Sequence, residues 1–497
     1  MPYLTQTDIT NYLVAKGTED NYSLILQDLI DDHLSSSALE DMQKADAYYS
    51  CRHDIEDKDF RTYYIRSETH TDLNAANNKI AHPFFKLLID QKTAYVVGNP
   101  ITFGSKTEND NMIDDLNKIL DEDFELILPS WITRASKHGY ELLHVYVNEN
   151  GELDYVVIDA QNCIIVYDSQ YEKELIYVIR FYTVTEVNAS GTEQTLYKVE
   201  WWDKKQVTFF SQNTENGNFY LDPEYEINPR GHFKKGQYLN GELIEGTLQW
   251  LSWGKVPFCI LENNDDKTND LKSIKKIIDN YDIMVSQFAN KLEDLADAIW
   301  QLVGYPGTDL AEFRQNLKTF KAISLQEGGN ATPITMQIPH EAHNAHLDKL
   351  EDNIYIFGQS VDPRKDKFGN SPSGVALRYM YILLDLKANV LIRKLKKALR
   401  DLMFFVTEYL KITEGKQYDP NDATFTCNKS ILINEFETVQ MLQLSKGMIS
   451  DETVLENHPR VEDVSQEKKR LEAQKENEPK LDLDKEPIEN EEENEAK

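Results

Sequence analysis

Residues Val361 to Asp401 read VDPRKDKFGNSPSGVALRYMYILLDLKANVLIRKLKKALRD. The first ten, Val361–Asn370, are a polar stretch carrying five charged residues and broken by Pro363 and Gly369. A helix is expected after it. Ser371 stands where an N-cap is needed, and Pro372 at the first helical position gives up an N–H that has no intrahelical partner there. Leu384, Leu391, Leu395, Leu399, Leu402, Val406 and Tyr409 recur at steps of seven, four, four, three, four and three, which keeps one apolar stripe on one face. Pro372–Lys411 would span about 60 Å at ~1.5 Å per residue, long for a helix of a globular domain. The rest of the chain has to hold a charged loop and a long capped helix.

Upstream, two further amphipathic helices are expected. Asp270–Ile299 carries Ile274, Ile277, Ile278, Tyr281, Met284, Phe288, Leu292, Leu295 and Ile299 on one side, and Glu341–Gly358 turns Leu347, Leu350, Ile354 and Phe357 inward. Between them lies a small unit: a strand at Ile299–Val303, a turn at Tyr305–Thr308, a helix at Asp309–Phe320, a strand at Lys321–Leu325 and an extended piece, ATPITMQIP. The order is rod, small unit, rod, charged loop, long rod. From Tyr140 to about Glu262 the period changes to two. LLHVYVNENGELDYVVID reads as a hairpin turning at Asn150-Gly151, and strands follow at ELIYVIRFYTVTE, QTLYKVEWWD and QVTFFSQ. The N-terminal region is helical: Leu24, Leu26, Leu29 and Ile30 share one helix, and Ala38–Cys51 forms another. A third uses Phe84, Leu87, Leu88 and Gln91, stopped by Gly98-Asn-Pro100, before Asn109–Leu128 and Pro129–His138. Helices first, then a mostly antiparallel sheet, place the fold class as α+β. Past Lys411, short helices are expected at Ile431–Lys446 and Asp451–Asn457.

With 53 basic against 85 acidic residues the formal charge is −32. A chain this acidic is a poor candidate for gripping nucleic-acid phosphates, because that affinity comes from Lys and Arg displacing counterions. It suits a surface that must not stick to DNA. The tail Glu472–Lys497 has eleven acidic residues against four lysines and no periodicity, so it is expected to be disordered. It accounts for only −7, leaving about −25 on the rest. The cysteines, Cys51, Cys163, Cys259 and Cys427, form no C-x-x-C, and MPYLTQTDITNYLVAKG is too polar for a signal peptide, so a reduced intracellular setting is expected. Apolar runs such as Tyr155–Ile158 are far below the ~20 residues of a spanning helix, so no membrane partner is expected.

Catalytic patterns mostly fail. Gly369–Gly374 has phosphate-loop spacing, but Val375 and Ala376 stand where Lys and Ser or Thr are needed. The same residues lack the second glycine of a nucleophile elbow. His340, His343 and His346 fall at i, i+3 and i+6 rather than the i, i+4 of a zinc protease helix, so solvated histidines are the expectation. Acidic pairs such as Asp31-Asp32, Asp265-Asp266 and Glu293-Asp294 could serve a metal-dependent enzyme acting on DNA or phosphoesters, but 85 acidic residues produce such pairs by chance. No catalytic residue, cofactor or metal is expected. Arg378, Lys387, Arg393, Lys394, Lys396, Lys397 and Arg400 cluster on the long helix, either as a phosphate patch or to pair with acidic neighbours; Arg364, Lys365 and Lys367 sit in the loop between rods.

Three stretches resemble one family: NNKIAHPFFKLLIDQKTAYVVGNPI, the GYELLHVYVNENGELDYVVID hairpin, and FGQSVDPRKDKFGNSPSGVALRYMYILLDLKAN. They look like portal proteins of tailed double-stranded DNA bacteriophages of Gram-positive bacteria, the Gp6-like siphophage portal family, and the order of rods, small unit and loop matches too. The resemblance implies a portal fold in a ring, commonly of twelve subunits, at one capsid vertex of the virion, assembled in the host bacterial cytoplasm, with double-stranded DNA passing through the middle. It implies an α/β wing at 1–265, stem helices at 266–299 and 339–358, and a small α/β clip at 300–338. A tunnel loop follows at 359–373, a long kinked helix at 374–411, a helical crown at 412–465 and the acidic tail at 466–497. Tunnel-loop residues would be Asp362, Arg364, Lys365, Asp366, Lys367, Phe368 and Asn370. In the clip, Tyr305, Asp309, Glu312, Arg314 and Lys318 would face the terminase large subunit and then the head-completion adaptor. Major capsid and scaffolding proteins complete the implied partners.

Overall fold

The computed structural model describes residues 4–16, 22–65, 67–73, 75–170, 174–187, 191, 193–212, 217–236, 238–239, 242–243, 249–294, 299–303, 328–334, 340–364, 374–429, 435–458, 460–461 and 464–477. The fold mixes helix and sheet. Two compact units partition the chain, a body of Met1–Asp362 with Tyr381–Ser430, and a smaller unit of Pro363–Met380 with Ile431–Lys497.

The body's main sheet has six strands in the order Leu4–Thr5, Cys163–Tyr167, Leu175–Val187, Glu193–Trp202, Val207–Gln212 and Tyr220–Leu221. The first pair is parallel and the others antiparallel. Strand alternation sends neighbouring side chains to different cores. Ile164, Val166, Trp201 and Phe210 pack with Ile9, Leu13, Leu26 and Leu29 of the N-terminal helices, whereas Cys163, Ile165, Trp202 and Phe209 pack with Leu142, Val256 and Phe258. The expected hairpin is present as Tyr140–Val147 paired with Leu153–Ile158, and Phe258–Glu262 adds a third strand. At its turn Gly151 takes φ +84°, a conformation that favours glycine.

Several expected helix limits and buried faces move. Helix Glu122–His138 runs straight through Pro129, and the break falls instead at Asp121, whose carboxylate accepts the N–H groups of Asp123 and Phe124 as an N-cap. In Phe84–Val97 the buried residues include Phe85, Leu88, Ile89 and Lys92, while Leu87 is exposed, so the buried face is turned from the expected one. The first rod is a helix over Lys275–Asp294, and Ile299 lies in a strand, Ile299–Val303, paired with Asn330–Ile334. The return rod is His340–Gly358; Leu350 and Ile354 are buried as expected, but Tyr355 fills the core in place of Phe357, which is exposed. The Tyr355 ring meets Phe84 edge-on at 6.3 Å. The expected turn, helix and strand across 305–325 lie outside the described residues. The long helix spans Gly374–Glu414, with Leu384, Leu391, Leu395, Leu399, Leu402 and Val406 all buried. Ser371 and Pro372 are outside the described residues.

Beyond the long helix the chain returns to the body. Ala423–Cys427 pairs antiparallel with Ile101–Ser105, and Lys416 and Tyr418 both bond Asp115, at 2.7 and 2.8 Å. The smaller unit holds helices Glu435–Ser445, Asp451–Glu456 and Val464–Asn477. The last of these runs into the tail expected to be disordered from Glu472, as far as Asn477; its Lys468 pairs with Glu452.

The first rod is strapped by the extended segment ahead of Phe84. Backbone N–H groups of Asn78, Ile80 and His82 donate to the side chains of Asn290, Ser286 and Asp282, at 2.6, 2.9 and 3.1 Å. The registers match because two extended residues advance about 6.6 Å and four helical residues about 6.0 Å. Asp282, fully buried, also accepts His53 Nδ1 at 2.6 Å and His82 Nδ1 at 2.8 Å. Asp282→Ala would strip a buried acceptor from three donors, at ~1–3 kcal/mol each. A loss of about 3 kcal/mol or more in urea unfolding is therefore expected, against about 1 kcal/mol for Ser286→Ala.

Candidate functional site

The charged loop follows the return rod, which ends at Gly358, and precedes the long helix, whose part in the body begins at Tyr381. One face of helix Phe84–Val97 touches both points, through Leu88, Gln91 and Tyr95 at i, i+3 and i+7. Gly358 lies so close to Leu88 that an added Cβ would meet Leu88 Cδ1 at 2.7 Å, so any larger residue there would have to push the buried Leu88 side chain aside. Gln359 then takes φ +53°, and the chain turns. Gln91 Nε2 donates to the Val361 carbonyl at 3.0 Å, while its Oε1 accepts the Val361 N–H at 3.3 Å and the Ser360 hydroxyl. The side-chain amide stands to Val361 as a neighbouring β-strand would.

At the other root, the Tyr95 ring stacks on Tyr381 with centroids 5.9 Å apart, and its hydroxyl donates to Asp385 at 2.9 Å. Lys429 binds the same carboxylate at 2.5 Å. Lys387 joins the two roots directly, donating to the Gly358 carbonyl at 2.9 Å, where it meets the negative end of the return rod. Its ammonium is also 3.0 Å from Asp270.

Asp270 is buried and shared, since Lys92 reaches it at 3.0 Å from below. Burial pushes the Lys92 ammonium down to about 8, with Asp270 opposing the shift and Lys387 adding to it. Burial alone would raise the Asp270 carboxyl, but Lys387 and Lys92 outweigh it and hold the group well below the usual carboxylate range. Asn263 completes the cluster, accepting from Lys92 and donating to Asp270 at 2.9 Å. Periodicity marked Gln91 only as part of a helical stripe and gave Lys92 and Asp270 no role. The available signal was a lysine recurring inside the apolar run FFKLLIDQKTAYVV.

Of the expected loop residues, Asp362 and Arg364 are described and directly follow the anchored Val361. Lys365, Asp366, Lys367, Phe368 and Asn370 lie outside the described residues, as do Tyr305, Asp309, Glu312, Arg314 and Lys318 of the small unit. On the long helix, Lys387 and Lys394 pair with acidic neighbours, Lys394 with Glu262 at 3.0 Å and Asp265 at 2.7 Å. Arg393, Lys397 and Arg400 are exposed. Asp265 is thus engaged by a lysine, and Glu293 accepts the Asn78 side-chain amide at 2.6 Å. His346 is exposed, whereas His343 stacks on Phe288 at 4.2 Å and bonds the Met284 carbonyl at 3.2 Å, a packing role rather than the solvated one expected.

Among the described residues, one cluster has the side chains of a metal site: His138, Glu141 and Asp159. His138 Nδ1 donates to Glu141 at 2.7 Å and Nε2 to Asp46 at 3.1 Å, so neither nitrogen keeps a lone pair for an ion. Burial opposes the imidazolium, but the bonds to Asp46 and Glu141 prevail and raise it to about 9. The cluster ties helix Ser37–Tyr49 to helix Glu122–His138, with Lys137 also on Asp46 at 2.5 Å. It is a buried ionic joint.

The chain belongs to the phage portal protein family of the SPP1 Gp6-like type, whose model matches residues 28–480. It is 32% identical over 478 residues to the portal protein of Bacillus phage SPP1, covering 95% of this chain and 90% of that one. To the portal protein of Clostridium phage phiCD119 it is 28% identical over 456 residues, covering 88% and 94%. Two solved structures share 12% and 13% identity and cover 75% of this chain and 88% of theirs: the neck of a native GTA particle computed with C12 symmetry, TM-score 0.38, and of an empty GTA particle computed with C6 symmetry, TM-score 0.41. Among the described residues no helix is long and apolar enough to cross a membrane.

The raised His138 value sets a pH test. A histidine whose folded pKa lies above its unfolded value of about 6.5 contributes its full stability below that value and loses it as pH rises through the folded one. Unfolding of the parent and of His138→Gln should therefore differ most near pH 6, by ~2–3 kcal/mol, and converge above about pH 9.

Proposed function

We propose that this chain is the subunit of a structural conduit: a ring, commonly of twelve copies, at one capsid vertex of the virion, through which double-stranded DNA enters during packaging and leaves at ejection. The observation that carries this is the match to the portal family along residues 28–480, supported by the firm hold of Gln91 and Lys387 on the turn that opens the charged loop. Residues 1–265 are assigned to the wing, the two rods to the stem, and 300–338 to the clip. The pairing of Ile299–Val303 with Asn330–Ile334 supports the clip assignment, because it closes the neck of that segment beside the rods.

The tunnel loop is assigned to 359–373, with Asp362, Arg364, Lys365, Asp366, Lys367, Phe368 and Asn370 lining the narrowest part of the channel. The long helix leads to a crown whose first part, up to Ser430, is body by its contacts and whose helices follow. Terminase large subunit and then the head-completion adaptor are assigned to the clip, through Tyr305, Asp309, Glu312, Arg314 and Lys318; capsid and scaffolding proteins surround the ring. A net charge of −32 supports a wall that repels phosphates, so that DNA slides without sequence-specific wells. Arg364, Lys365 and Lys367 supply brief backbone contacts at the constriction.

Negative-stain electron microscopy with mass measurement should show rings of about a dozen subunits with an open centre. A chain that remains monomeric at high concentration would refute the conduit. Deleting Lys365–Phe368 should leave rings intact and lower packaged or retained DNA at least tenfold; normal phage yield from that deletion would remove the loop's role.

A further inference from the structure

The loop's geometry is set outside the loop. Both roots rest on the same helix, Phe84–Val97. The first root is a turn held at Gly358 against Leu88 and at Ser360 and Val361 against the Gln91 amide. Tyr381 and Asp385, two and three turns into the long helix, form the second root, held by the ring and hydroxyl of Tyr95. Seven residues of α-helix separate Leu88 from Tyr95, about 10.5 Å of rigid rise at 1.5 Å per residue. Lys387 draws the roots together through the Gly358 carbonyl.

We propose that helix Phe84–Val97 is a gauge that fixes the spacing between the turn opening the channel loop and the long helix that follows the loop, with Gln91 as the positioning residue for the end that carries Asp362 and Arg364. The inference rests on the reading of that loop as the DNA-facing one. Three features favour positioning over simple packing. Gln91 spends both of its amide groups on the main chain of one residue, Val361, which fixes a direction and not merely a surface. The anchored residue immediately precedes the charged run. The contact surface is small: Gln91 is half-buried, and the core beneath it is made by Phe85, Leu88 and Ile89 instead. Loss of the amide should therefore release the loop's first residues and leave the body folded.

The test is Gln91→Met, which keeps the side chain's length and removes its donors and acceptor, in the full-length protein and in the phage genome that encodes it. Tyr95→Phe, which removes only the hydroxyl on Asp385, probes the other root should Gln91→Met fail to fold. Deletion of Lys365–Phe368 runs in parallel. The expected result has three parts: unchanged ring assembly and melting temperature, amide hydrogen exchange across 359–364 at least tenfold faster, and DNA-filled particles reduced toward the level of the loop deletion. Faster exchange with parental DNA retention, while the deletion still impairs it, would overturn the gauge and leave the loop reading standing. Unchanged exchange at Val361 would overturn the anchor itself. A deletion that leaves packaging and retention normal would overturn the loop reading, and the gauge's function with it.

Discussion

A single buried carboxyl group, that of Asp282, organises the part of the molecule from which everything else is positioned. It receives His53 from the N-terminal helices, the ring and backbone N–H of His82 from the strap, and it sits in the middle of the first rod. Three otherwise separate segments meet at two oxygens with no access to water. An unmade bond there costs more than a made one returns, so the arrangement is all or nothing. Ser286 and Asn290, one and two turns along, extend the same rule to Ile80 and Asn78. The rod therefore carries two stripes, an apolar one and a polar one that reads backbone.

The strap leads through Pro83 straight into helix Phe84–Val97, so the segment that grips the rod also carries the platform for the loop. One side of that helix enters the core with Tyr48, Ile274, Ile278, Ile354 and Tyr355. Another faces the roots of the loop. Between them Lys92 reaches inward to Asp270, which Lys387 also binds, so the long helix, the platform and the turn just ahead of the first rod share one buried charge cluster. Replacing either lysine would leave the remaining ions unbalanced in a site where burial already disfavours Lys92's charge.

Periodicity and turn chemistry made much of the fold legible. The hairpin at Asn150-Gly151, the strands through Trp202 and Gln212, the two rods and the stripe from Leu384 to Val406 all follow from spacing of two or of three and four. Spacing failed where capping or packing outweighs a residue's own preference. Pro129 stays inside a helix because the N-cap at Asp121 and the buried face of Phe124, Leu128, Trp131 and Ile132 outweigh one missing N–H. Phe357 is exposed although it sits on the predicted stripe, because Tyr355 reaches the Phe84 ring first.

The sequence by itself determined the class of the elements, the order of the two rods and the long helix, the acidic character and the family resemblance, since each resides in local pattern or composition. Tertiary structure alone decided the strap ladder, the buried pairing of Lys92 and Lys387 with Asp270, and the hold of Gln91 on Val361. These bonds join residues 117 to 270 positions apart, and a polar side chain carries no mark of whether it will face water or another backbone. Only the packing that removes the water makes Asp282 a joint and Gln91 an anchor.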